Sequence, residues 1–198
     1  IYAVDGSHRS RSGIIVALSE DEGKSWNQGL LQLKPNMAGG ADPDAVLLGD
    51  GRIRLYYIRF SGRPVPGEMP RGENSVHSAV SSDGIHFVEE EGIRYRQEQI
   101  TDPDVVKIGN RWFMYLAQGP RLIVTSSQDG LHFEYEEIVR EDGSVSSTVP
   151  INSNLWRQYY CTDGAIKSSV TDDGLHWTKE EGARLKPEGN FMICDPAP

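Results

Sequence analysis

Residues 127–133 read Ser127-Gln128-Asp129-Gly130-Leu131-His132-Phe133, and versions of this short motif recur along the chain. They stand at 19–26, 81–87 and 171–177, and their closing aromatic residues occupy positions 26, 87, 133 and 177. The intervals are therefore 61, 46 and 44 residues. Self-similarity at a nearly fixed period of this length is typical of a repeat architecture. The sequence predicts an array of similar units.

A second motif opens each unit. It is an Asp-Pro pair, which stands before an apolar run at Ala41-Asp42-Pro43-Asp44 and Thr101-Asp102-Pro103-Asp104 and recurs at Cys194-Asp195-Pro196. Gly-Asp-Gly at 49–51 and Gly-Asn at 109–110 are tight hairpin turns, and the aromatic and β-branched runs beside them are typical of strands. No stretch shows sustained helical periodicity. Four antiparallel strands in a unit of about 46 residues are the pattern of a β-propeller blade.

The two motifs set the expected blade boundaries. They predict blades at 40–97, 100–140 and 144–187, and a further blade made of 1–35 together with 190–198. The blade at 40–97 is the longest, and its excess lies in the Pro- and Gly-rich segment 61–74, which is predicted to be a long loop. Loops of this length in compact domains are often functional.

Charge narrows the classes of partner. The formal net charge is −9, from 20 basic and 29 acidic side chains, so the summed field repels nucleic acid and anionic membranes. No apolar run approaches the roughly 20 residues that span a bilayer.

Two cysteines, Cys161 and Cys194, are too few for a disulfide framework and do not have metal-site spacing, so separate buried thiols are expected.

Strand alternation sorts the candidate site residues onto one face. If the face where each first strand begins is called the upper face, Asp42, Asp102 and Asp195 lie there, at the start of the innermost strands. The connections between second and third strands return to the same face. The predicted substrate contacts are these inner-strand and loop residues: Asp44, Asp104, Asp195, His8, Arg9, Arg121 and Asp163.

This arrangement resembles the five-bladed propeller glycosidases, the clan of arabinanases, β-xylosidases and invertases. The match is best at Ala41-Asp42-Pro43 and Thr101-Asp102-Pro103, and it extends over nearly the whole chain as a blade pattern. The resemblance implies that Asp42 and Asp102 act as a base or nucleophile and as a carboxylate that tunes the acid's pKa. Glycoside cleavage needs one ionised and one protonated carboxyl group, and converging carboxylates push their pKa values apart.

The chain departs from the clan in its third full unit, where the family usually carries a Glu as general acid. Aligning Trp156 with Trp112 puts Ser146 opposite Asp102 and Thr148 opposite Asp104, so no carboxylate stands there. Glu73 on the long loop is the predicted substitute, with Glu68 and Glu98 as alternatives. Two architectures remain open. One is an incomplete five-bladed propeller of this family, and the other is a propeller that closes with four blades.

The Ser-x-Asp-x-Gly-x-x-Trp motif resembles the Asp-box turn of sialidase-type propellers. This resemblance implies a structural role, in which Asp caps the turn, Gly supplies an unusual backbone angle and the aromatic residue packs between strands. The same scaffold role is expected of the aspartates and of the histidines that follow three of them, at Asp21, Asp83, Asp129, Asp173, His86, His132 and His176.

The predicted function is a glycoside hydrolase-like propeller that acts on a glycan in an acidic funnel, with no cofactor. Two further possibilities remain: a structural calcium ion on the propeller axis, and oligomerisation if the propeller is not closed. The first alternative is a non-catalytic propeller that binds carbohydrate or protein, because the acid is missing. Sialidase activity is the least favoured of the three functions, since no Arg-Ile-Pro signature appears. The Asp-Pro pairs also have a purely structural interpretation, in which Pro begins a strand and Asp bonds neighbouring backbone.

Overall fold

The computed structural model describes residues 2–5, 14–19, 21–30, 32–34, 40–61, 72–189 and 191–198. Every regular element in these ranges is a β-strand, so the all-β prediction is confirmed. Accordingly, a helix long and apolar enough to cross a bilayer does not occur among the described residues. The chain divides into two compact units, Ile1–Gln97 and Glu98–Pro198.

The first unit begins with a three-stranded antiparallel sheet. Its strands are β1 (Tyr2–Asp5), β2 (Ile14–Leu18) and β3 (Asn27–Leu30), in that order. The strands β1 and β2 pair antiparallel, so that Tyr2 faces Ala17 and Asp5 faces Ile14. Residues 6–13 between them lie outside the described part of the chain.

The second sheet of this unit contains a four-stranded meander, as predicted, and two additions. The meander consists of β5 (Gly40–Leu47), β6 (Ile53–Arg59), β7 (Glu73–Ser81) and β8 (His86–Glu89). The strand β4 (Gln32–Lys34) joins β8 in parallel, and β9 (Tyr95–Glu98) pairs with β7. Glu73 was expected on the long loop, but it is the first residue of β7, so that expectation was wrong.

The second unit holds two four-stranded antiparallel meanders in chain order, which confirms the predicted four-stranded antiparallel pattern. The first consists of β10 (Ile100–Ile108), β11 (Arg111–Gln118), β12 (Arg121–Ser127) and β13 (Glu134–Arg140). The next consists of β14 (Ser144–Asn152), β15 (Leu155–Thr162), β16 (Ala165–Thr171) and β17 (Thr178–Lys179). The described residues 191–198 form no strand.

The recurring turn motif is built as its sequence implies. At Asp129, the carboxylate Oδ1 accepts hydrogen bonds from the backbone N–H of Leu131 and of His132, at 2.8 and 3.0 Å. Ser127 Oγ accepts from Gly130 N, and Gly130 takes a φ of 73°, where a side chain would be strained. His132 Nδ1 lies 2.8 Å from Asp129 Oδ2. The predicted capping role of the aspartate is therefore confirmed.

The same contacts occur around Asp83 and Asp173, with His86 and His176 in the place of His132. Backbone and side-chain hydrogen bonds from His86 hold the pKa of the Asp83 carboxyl well below its usual range. These aspartates therefore stay ionised and bound to their own turns, which fits a scaffold role.

Each unit has its own apolar core between adjacent sheets. In the second unit Phe113, Tyr115, Leu122 and Val124 of one blade cluster with Trp156 of the next. The hydroxyl of buried Tyr115 donates to the carbonyl of Gly174 at 2.7 Å, so a turn of the next blade is bonded into this core. In the first unit the core forms around Ile14, Leu55, Tyr57, Ala79 and Phe87.

The expectation of two separate thiols was wrong, because Cys161 and Cys194 form a disulfide with their Cα atoms 5.2 Å apart. The two cysteines are 33 residues apart in the sequence. No local spacing rule could pair them, since the contact exists only because the 191–198 segment returns to the end of β15.

Replacing Gly174 with alanine should destabilise the second unit strongly. A Cβ there would lie 2.8 Å from a ring carbon of buried Phe113, and the φ of 82° adds backbone strain. We expect a loss of about 3 kcal/mol in the free energy of unfolding, measured by urea denaturation.

The matched control is Gly109→Ala, which has a φ of 59° and no atom within 4 Å of the added carbon. It should show only the backbone cost, about 1 kcal/mol. Equal losses in the two variants would contradict the close approach of Gly174 to Phe113.

Candidate functional site

The candidate site lies at the upper end of the second unit, where the first strand of each blade begins. Thr101 at the start of β10 pairs with Ala117, close to the turn between β11 and β12. Ser144 at the start of β14 pairs with Cys161, beside the turn between β15 and β16. Both strands contain a β-bulge at this point, and a bulge redirects a side chain away from the regular pleat.

The aspartate of each Asp-Pro pair has an unusual backbone conformation. The φ angles of Asp102 and Asp195 are 48° and 55°, and Asp42 in the first unit has 47°. This left-handed region is tolerated by Asp much better than by most residues. The Asp-Pro motif therefore marks a left-handed backbone at each of its three occurrences, and at Asp42 and Asp102 this coincides with a β-bulge.

In β14 the corresponding residue is Val145, with a φ of 46°. The sheet register matches Ser144 to Thr101, so Val145 is the counterpart of Asp102. The alignment of Trp156 with Trp112 predicted that Ser146 is the counterpart of Asp102, and this prediction was wrong by one residue. The cause is an extra residue in β14, where the register shifts between Pro150 and Asn152.

Asp102 and Asp195 are brought together within the second unit. Burial raises the pKa of the half-buried Asp102 carboxyl, and repulsion from the Asp195 carboxylate raises it further. A hydrogen bond from the Thr101 side chain acts in the opposite direction without cancelling these effects. Asp102 therefore keeps its proton to a higher pH than an ordinary aspartate, next to an exposed second carboxyl group.

Asp104 was predicted to contact substrate, and its carboxylate instead faces donors from the neighbouring blade. Ser146 Oγ and Thr148 Oγ1 donate to Oδ2 at 2.8 and 2.7 Å, and Thr148 N donates to Oδ1 at 2.9 Å. Only 5% of Asp104 is exposed. Burial raises its pKa, and the bonds from Thr148 and Ser146 oppose the rise. This geometry favours a packing role, and the substrate contact stays a prediction.

Gln158 and Arg140 extend the buried polar network around Asp104. Gln158 Nε2 donates to Thr148 Oγ1 at 3.1 Å, and its Oε1 accepts from an Arg140 nitrogen at 2.9 Å. The Arg140 guanidinium lies over the ring of Tyr160, with its central carbon 3.6 Å from the ring centroid. Burial lowers the pKa of Arg140 to about 10. Sequence reasoning missed this network, because its members share no local pattern.

Arg121 and Asp163 lie at the upper end, as the topology predicts. Arg121 begins β12 and pairs with Glu141 at 2.8 Å, with half of its side chain exposed. Asp163 occupies the β15–β16 turn and pairs with Lys167 at 3.0 Å. Both side chains are accessible, and their contact with substrate stays a prediction.

The remaining predicted residues belong to the first unit. Asp42 and Asp44 lie in β5, and the exposed Glu73 has a carboxylate oxygen 3.7 Å from an Arg96 nitrogen. Their roles stay predictions. His8, Arg9 and Glu68 lie outside the described residues. Among the residues that are described, no group of three or more His, Cys, Asp and Glu side chains is arranged to hold a metal ion.

No protein-family model matches this chain, and no curated protein does so either. Solved structures do match. A thermostable family-43 glycoside hydrolase superposes with a TM-score of 0.64 at 13% identity, covering 89% of this chain and 69% of that one. A family 117 glycoside hydrolase of Zobellia galactanivorans gives a TM-score of 0.58 at 16% identity, covering 72% of this chain.

A Hadza microbial sialidase also matches, with a TM-score of 0.57, 15% identity and coverage of 87% of this chain and 41% of that one. The chain spans 55% of the Zobellia enzyme, about half its length. At these identities the likeness establishes the fold and carries no activity over. The chain has a propeller fold of the kind found in glycoside hydrolases.

Thr148→Val should destabilise the second unit by about 1.5 kcal/mol, because the buried Asp104 carboxylate would lose a hydroxyl donor without a change in side-chain shape. The matched control is Ser147→Ala on the same strand, for which we expect less than about 0.5 kcal/mol. Urea denaturation measures both, and equal losses would contradict the role of the hydroxyl.

Val145→Asn should stabilise the protein by about 1 kcal/mol, because asparagine tolerates the left-handed backbone that strains a β-branched residue. Val149→Asn, at another half-buried position of β14, should destabilise it, since asparagine is unfavourable in a regular strand. Thermal denaturation of the two variants gives the comparison. A loss of stability in Val145→Asn would show that the side chain makes contacts worth more than the strain.

Proposed function

We propose that this chain is part of a glycoside hydrolase-like propeller that binds a glycan at its upper end. The observation that carries the proposal is the pair of carboxyl groups on Asp102 and Asp195, one with a raised pKa and the other exposed. Two carboxyl groups in opposite protonation states are what hydrolysis of a glycosidic bond requires. The propeller fold shared with glycoside hydrolases agrees with this chemistry.

In the proposed reaction, Asp102 supplies a proton and an ionised carboxylate completes the step. The protonated Asp102 carboxyl donates to the glycosidic oxygen as the bond between that oxygen and the anomeric carbon breaks. A water molecule supplies the new oxygen at the anomeric carbon and gives its proton to a carboxylate. Asp195, whose carboxylate interacts with the Asp102 carboxyl group, is the candidate for this base.

This assignment differs from the sequence-based one in the identity of the acid. Glu73 was the predicted proton donor, yet its side chain is exposed and lies 3.7 Å from an Arg96 nitrogen. Asp102 has the surroundings that favour the protonated form. Arg121 and Asp163 are proposed as rim contacts for sugar hydroxyls, because both are accessible at the same end of their blades.

The alternative function is carbohydrate binding without catalysis. It is favoured by Val145, which occupies the left-handed position that carries aspartate in the other blades and brings no carboxyl group. A site without a competent acid would bind a glycan and leave it intact.

We also propose that the four turn motifs are homologous to the Asp-box turns of sialidase-type propellers. The capping contacts of Ser, Asp and Gly support this, together with the fold shared with a microbial sialidase. The proposal concerns ancestry and scaffold, and no sialidase chemistry follows from it.

Hydrolysis of a panel of nitrophenyl glycosides tests the enzyme proposal. We expect turnover with at least one sugar, and Asp102→Asn should lower kcat by roughly 10²- to 10⁴-fold, because it removes the transferable proton. The control is Asp142→Asn, an exposed carboxylate that pairs with Lys179 at 3.4 Å, which should leave kcat unchanged.

The outcomes separate the two functions. Glycan-array binding without turnover of any glycoside would establish the binding alternative. Turnover that survives Asp102→Asn unchanged would end the assignment of Asp102 as the acid.

A further inference from the structure

The segment 191–198 reaches the candidate site without a β-ladder to hold it. It carries Asp195, whose side chain is exposed, and it forms no regular secondary structure. The strand that carries Asp102 is fixed by the hydrogen bonds of its sheet on both sides of the bulge. Asp195 depends on other contacts for its position, and these contacts decide whether the two carboxyl groups stay close.

The contacts gather on the hairpin of β15 and β16. Ile193 N donates to the carbonyl of Gly164, in the turn of this hairpin, at 3.0 Å. Gly164 has a φ of 70°, and Met192 lies near its α-carbon, since an added Cβ would be in van der Waals contact with Met192 Cγ at 3.6 Å. The segment therefore lies against the upper end of the blade formed by β14 to β17.

The disulfide is the covalent member of this set of contacts. Cys194 directly precedes Asp195, and its partner Cys161 lies in β15. Cys161 pairs in register with Ser144, the residue before Val145. The cross-link thus attaches the residue next to Asp195 to the same end of the sheet at which the strands carry their left-handed bulge residues.

We propose that the Cys161–Cys194 disulfide is a positioning cross-link that holds the Asp195 carboxylate beside Asp102. The proposal deepens the proposed function, on which its consequence for catalysis rests, but the geometry itself is testable without any substrate. Without the cross-link, an exposed carboxylate on an irregular segment samples many positions. Its interaction with Asp102 then weakens, because the repulsion falls with distance and is screened by water and salt.

The pKa of the Asp102 carboxyl responds to the distance between this group and the Asp195 carboxylate. Asp195 raises that pKa by repulsion, so removing the charge or letting it move away should lower it. Burial acts on Asp102 independently and should keep the pKa above its usual value in every variant. The effect of the cross-link can therefore be separated from the effect of burial.

The experiment is a cycle of four proteins followed by carboxyl-carbon NMR titration: wild type, Cys194→Ser, Asp195→Asn and the double variant. We expect each single variant to lower the pKa of Asp102 by roughly 0.5 to 1 unit, the size of one like charge at intermediate dielectric. In the double variant the pKa should match that of Asp195→Asn, because no charge is left to reposition.

Reduction of the wild type with dithiothreitol gives a second route that changes no residue, and it should lower the pKa as Cys194→Ser does. Circular dichroism checks that each sample remains folded. A pKa that responds to Asp195→Asn but to neither Cys194→Ser nor reduction would overturn the proposal. Two free thiols in the native protein, counted with a thiol reagent, would overturn it as well.

Failure of the proposed function gives a different result. If the wild type neither binds nor cleaves any glycan while the cycle behaves as expected, the positioning role of the disulfide holds and the glycosidase proposal fails.

Discussion

The buried carboxylate of Asp104 is the constraint on which the arrangement of the second unit depends. Its two oxygens accept hydrogen bonds from Ser146 and from both the hydroxyl and the backbone of Thr148. A buried carboxylate without such donors costs several kcal/mol, so β10 and β14 have to keep this alignment. The apolar core beneath these strands tolerates sliding more readily than this polar contact does, because apolar packing is not directional.

The same contact explains how one short motif serves both packing and the candidate site. In Asp102-Pro103-Asp104, the second aspartate is bonded to the neighbouring blade, and the first lies on the bulge with a φ of 48°. The bulge interrupts the regular alternation of side-chain directions along the strand at Asp102. Rigid attachment of Asp104 therefore holds Asp102 in a defined place two residues away.

Features that depend on neighbouring residues were predictable from the sequence, whereas features that depend on distant contacts were not. The turn motif predicted the blades of the second unit, because Gly130 and Asp129 impose a local backbone that needs no partner elsewhere. The disulfide joins residues 33 positions apart, and the parallel strand β4 adds to a sheet edge far along the chain. The sequence marks the Asp-Pro positions of the candidate site, but the contacts that distinguish Asp104 from Asp102 required the register of two strands.

Val145 shows how the blade repeat is adapted in one unit. A left-handed backbone suits aspartate and strains valine, so the conformation is imposed by the bulge and is not chosen by the residue. With valine at this position, β14 adds no third carboxyl group to the interacting pair of Asp102 and Asp195. A third negative charge would spread the repulsion over several groups and couple their titrations. With two, the repulsion acts within one pair, in which burial sets Asp102 apart as the group that keeps its proton.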